Sequence, residues 1–91
     1  MMISYTQSTL GKLEDLLRAA GFVIRYEKGN FKSGMCVLLN DKVMVVNKFS
    51  DLQIKINALV ELVAAFDFSP VELDEKQKKF LYLIKQTKLD L

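Results

Sequence analysis

Two short runs, Met35–Leu39 and Lys42–Val46, are apolar on both faces, and this constrains the fold more than any other feature of the chain. Met35, Val37 and Leu39 alternate with Cys36 and Leu38, and Val43 and Val45 alternate with Met44 and Val46. Successive side chains of a strand point to opposite faces of its sheet, so a strand apolar on both is covered on both. Asn40 and Asp41 stand between the runs, and two turn-forming residues there predict a tight hairpin. Helices of the same chain can cover one face; the other needs a second helix layer or a second subunit.

Three amphipathic patterns supply the helices. Leu10, Leu13, Leu16, Leu17 and Ala20 recur at helical spacing and predict a helix over about Thr6–Ala20, with the stretch Ser4-Tyr5-Thr6-Gln7 and the hydroxyls of Ser8 and Thr9 offering competing caps. Gly21 ends it, because glycine takes the left-handed conformation without a Cβ clash, and Phe22 then packs back on Leu17. Phe22-Val23-Ile24-Arg25-Tyr26-Glu27 alternates as a half-buried strand with Phe22, Ile24 and Tyr26 on one face. Ser50-Asp51-Leu52-Gln53 matches a capping box and opens a very apolar helix reaching about Phe66, expected at the centre of the fold. A last helix starts either at the Ser69-Pro70-Val71-Glu72 signal or at Asp74-Glu75-Lys76-Gln77. The order α-β-β-β-α-α over one domain, residues 1–91, implies an α+β fold: a three-stranded antiparallel sheet packed with three helices.

Composition removes much chemistry. The chain has no histidine and one cysteine, Cys36. It therefore has no His-based nucleophile pair or zinc site and no Cys₄ site of its own. No metal or cofactor is expected, and no catalytic residue is assigned. Net charge is +2, and eleven of thirteen cations are lysine; arginine is the residue favoured for bidentate reading of phosphates and bases. Met1–Tyr5 lacks a signal-peptide pattern, and no run approaches the roughly 20 apolar residues of a membrane span. With a lone thiol, this points to the cytoplasm.

Glu61 lies in Ile56-Asn57-Ala58-Leu59-Val60-Glu61-Leu62-Val63-Ala64-Ala65, on the helix that follows the hairpin. The segment Gly34–Ala65 resembles the hairpin-and-helix core of ImmA/IrrE-type zinc metallopeptidases, which carry His-Glu-x-x-His on that helix. Glu61 matches the glutamate, but Val60 and Ala64 stand where the histidines belong. The resemblance therefore implies a zinc-free relative or a reused scaffold, without peptidase activity. Read from the residues alone, Glu61 sits on the helix's narrow polar edge. The stretch from Arg25 to Gly34 also resembles a small bacterial domain family of uncharacterised activity.

That stretch holds the candidate binding residues Arg25, Tyr26, Lys28, Phe31 and Lys32. Cations interleaved with aromatics can hold phosphate and stack a base. The plainer alternative is a strand connection whose Phe31 folds onto the core. Gly29-x-x-x-x-Gly34 lacks the Gly-Lys-Ser/Thr ending of a phosphate loop. Cys36, mid-strand, reads as a small core hydrophobe. The expectation is a non-enzymatic protein-interaction domain, homodimeric, with weak nucleic-acid binding through the 25–34 loop as the alternative.

Overall fold

A computed structural model describes residues 4–28, 34–35 and 42–89. Along them run α1 (Gln7–Ala19), β1 (Val23–Glu27), β2 (Gly34–Met35), β3 (Val43–Asn47), α2 (Leu52–Ala65) and α3 (Glu75–Leu89). The helix ends follow local hydrogen bonding. Thr6 wins the competition to cap α1, its hydroxyl accepting the Thr9 N–H at 3.2 Å. At the other end Gly21 has φ 93°, and the N–H groups of Gly21 and Phe22 donate to the carbonyls of Arg18 and Leu17. This double closure satisfies two carbonyls that the last turn leaves open.

Two helix starts differ from the sequence reading. The cap of α2 is Asp51 and not Ser50, and the Asp51 side chain makes no capping bond. For α3 the Ser69 signal is passed over. Asp67 Oδ1 accepts from both the N–H and the hydroxyl of Ser69, at 2.9 and 2.6 Å, and Val71 N–H donates to Phe68 O, so this stretch folds as a turn. Asp74 and Gln77 form the reciprocal box instead: Gln77 N–H donates to Asp74 Oδ1 at 2.7 Å and Asp74 N–H to Gln77 Oε1 at 3.1 Å.

The expected three-stranded antiparallel sheet is wrong. The strand order is β1-β3-β2, and β1 runs parallel to β3, from Val23 beside Val43 to Glu27 beside Asn47. β2 is antiparallel to β3, with Met35 beside Met44 and Gly34 beside Val45. Sequence neighbours usually pair, and that regularity misleads here. β3 takes the central position, where Met44 and Val46 reach complete burial. The Asn40-Asp41 turn and most of the Met35–Leu39 run lie outside the described residues.

The helices share one core. Leu13, Leu16 and Leu17 of α1, Ile56, Leu59 and Val63 of α2, and Ile84 of α3 are fully buried against Met44 and Val46. Each such side chain contributes about 1.5–3 kcal/mol by leaving water. Two lysines close helix ends. Lys42 Nζ donates to Ala20 O at 2.8 Å, after α1, and lies 4.8 Å from the Phe66 ring centre. Lys85 Nζ donates to Phe66 O at 2.9 Å, after α2. A cation is favoured where helix carbonyls point outward. No helix among the described residues is long and apolar enough to cross a membrane.

Candidate functional site

Strand alternation sorts β1 into two faces. Ile24 and Tyr26 turn inward and pack on the core, while Val23, Arg25 and Glu27 face outward and are exposed. Register places Val43 and Val45 of β3 on the same outer face, both half-buried. Val23 is 54% exposed beside them. Arg25 Nε and Glu27 Oε2 pair at 3.0 Å across this surface, and Gly34, opposite Val45, adds no side chain to it.

The backbone of β1 is sorted the same way. Val23 N–H donates to Lys42 O at 2.7 Å, and Glu27 O accepts Lys48 N–H at 3.0 Å. Residues 23, 25 and 27 therefore turn their backbone groups toward β3. Ile24 and Tyr26 turn theirs to the other side, where no described strand lies.

Of the five candidate binding residues, Phe31 and Lys32 lie outside the described residues. Arg25 is engaged with Glu27, and Lys28 is exposed at the end of β1. Tyr26 faces inward: its hydroxyl donates to Glu14 Oε2, and the Lys55 ammonium lies 5.7 Å from its ring centre. Burial first, then the hydrogen bond to Glu14 and that carboxylate's charge, push the phenol well above its usual range; Arg18 opposes this weakly. Strand order adds Lys48 and Phe49, because Lys48 is bonded to Glu27 and Phe49 follows it, 70% exposed, with the Lys48 ammonium 5.4 Å from its ring centre. Lys42 does not join them; it serves the opposite end of the sheet, closing α1. The sequence offers Lys42, Lys48 and Phe49 as an extension of the patch only if Asn40-Asp41 places them beside it; the parallel pairing brings in Lys48 and Phe49 and leaves Lys42 out.

Glu61 is exposed on α2, flanked by buried Val60 and half-buried Ala64. It lines neither of two shallow hollows. One, about 490 Å³, lies between α1 and α3, where the Lys12 ammonium sits 5.7 Å from the Phe80 ring centre. The other, about 460 Å³, lies along the turn before α3 and is bordered by Asp67, Ser69 and Lys85. Asp67 is held below the usual carboxylate range by the Ser69 hydroxyl and amide, which satisfy its charge. Among the described residues no three His, Cys, Asp or Glu side chains gather closely enough to hold a metal ion. Cys36 lies outside those residues. No family model, curated protein or solved structure matches the chain.

Proposed function

We propose that the protein is a non-enzymatic interaction module that pairs with a second copy of itself. The observation that carries this reading is the edge of β1 that no described strand occupies, with the backbone groups of Ile24 and Tyr26 turned toward it. An unpaired edge is a template for another strand. The apolar outer surface at Val23, Val43 and Val45 supports the same reading. The absence of histidine from the sequence argues against proton-transfer catalysis near neutral pH. On this reading Glu61 is a surface residue of α2 without a catalytic role, and the peptidase-like hairpin and helix are a scaffold reused without zinc chemistry. The reducing cytoplasm suits a chain with one cysteine. Sedimentation equilibrium across roughly 10–500 µM, the range expected for a weak pairing, tests self-association. A mass rising toward twice the 10.4 kDa of one chain is expected; 10.4 kDa throughout overturns the reading.

A second reading rests on the grouping of Lys28, Lys48 and exposed Phe49 at the end of β1. Such a surface suits weak binding of single-stranded nucleic acid by phosphate neutralisation and stacking. It predicts retention of single-stranded RNA at ~50 mM salt and steep loss as salt rises. No retention at the lower salt removes it.

A further inference from the structure

We propose that two copies join through β1, antiparallel, about a two-fold axis at Tyr26, so that Arg25 of each copy faces Glu27 of the partner subunit. This rests on the self-association reading and specifies its surface and register. Ile24 and Tyr26 offer the outward backbone groups, and Lys28 follows the strand directly. An antiparallel partner centred on Tyr26 therefore meets Tyr26 with its own copy, and Ile24 with Lys28 of the partner subunit, as hydrogen-bonded pairs. A closed two-fold contact uses one patch on both copies, which a single strand edge provides.

Charge selects this register over its neighbours. Arg25 and Glu27 are both exposed on the outer face, two residues apart on one strand. With the axis at Tyr26 they fall opposite each other as non-hydrogen-bonded pairs, the closer kind, and the four charges alternate in sign across the axis. With the axis at Arg25, that arginine would meet its own copy at the same close distance, which like charges disfavour. With the axis at Ile24, Arg25 would face Val23 of the partner subunit and the charge pairs would be lost. The inward Tyr26 side chain, tied to Glu14, is not displaced by pairing at the backbone edge.

The test uses the full chain at low ionic strength, because exposed pairs are screened by salt. R25E and E27R each place like charges opposite one another in the homodimer, and each is expected to weaken self-association about ten-fold. Mixed in equal amounts, the two variants restore complementarity across the axis, and the dimer should recover to within about three-fold of wild type. Both variants lose the same exposed pair within one copy, so that loss cannot produce recovery on mixing. Matching far-ultraviolet circular dichroism shows that both fold. If wild type dimerises but the variants dimerise equally well, or mixing fails to restore the dimer, this register is overturned and self-association stands. If wild type remains at 10.4 kDa, both the register and the self-association reading fall.

Discussion

Replacing Tyr26 with phenylalanine removes one oxygen and asks whether this side chain serves the fold or a ligand. The hydroxyl donates to Glu14 Oε2, and the Glu14 side chain is 16% exposed with Arg18 Nη1 3.9 Å from its other oxygen. A hydrogen bond to a charged acceptor contributes about 1.5–3 kcal/mol, and the partly buried setting of the ring places this one near the lower end. A loss of about 1.5 kcal/mol lowers Tm by roughly 6–12 °C in a domain of this size. In urea, with m about 1 kcal/mol/M, the midpoint falls by roughly 1.5 M. The alkaline limb gives a second readout. The folded phenol holds its proton above the ordinary value of about 10, so the folded state binds more protons than the unfolded state over that window. Its contribution is therefore complete below about pH 10 and declines as pH rises further. Lysines also titrate there, but Tyr26→Phe keeps all of them, so the wild-type curve should fall more steeply than the variant's. Equal urea midpoints at about pH 7 and superimposable alkaline limbs would refute the structural role assigned to Tyr26.

Two further outcomes follow from the helices. Ile84 is the fully buried anchor of α3, and Ile84→Ala should cost about 2–5 kcal/mol by opening a cavity; chemical denaturation yielding less than about 1 kcal/mol would contradict that placement. Asp74→Ala removes the acceptor of the reciprocal box and should cost about 1 kcal/mol, whereas Ser69→Ala should leave the start of α3 unchanged, as amide hydrogen exchange along residues 74–78 would report.

Where structure follows from contacts within a few residues, the sequence was legible. The apolar spacing from Leu10 to Ala20 marked α1, Gly21 marked its end, and alternation along Val23–Glu27 separated inward Ile24 and Tyr26 from outward Arg25 and Glu27. The start of α3 was ambiguous because two cap signals lie five residues apart. Reciprocal bonding at Asp74 and Gln77 decided it, while Asp67 drew Ser69 into a turn. The candidate loop was legible only as a set of residue types. Lys42, Lys48 and Phe49 stood out as a candidate extension of it, but only the parallel pairing put Lys48 and Phe49 at the end of β1 and Lys42 at the far end of the sheet.

By itself the sequence determined the helical faces, the inward side of β1 and, by lacking histidine, that this sequence offers no imidazole of its own. Tertiary structure alone decided that β3 stands between β1 and β2, that β1 runs parallel to it, and that one edge of β1 stays open among the described residues. The reason is the range of the forces involved. Caps and periodicity act within a turn or two of chain, but a strand's neighbours are set by contacts between residues far apart in sequence, and here Met44 and Val46 of the middle strand are fully buried in the core shared with the three helices.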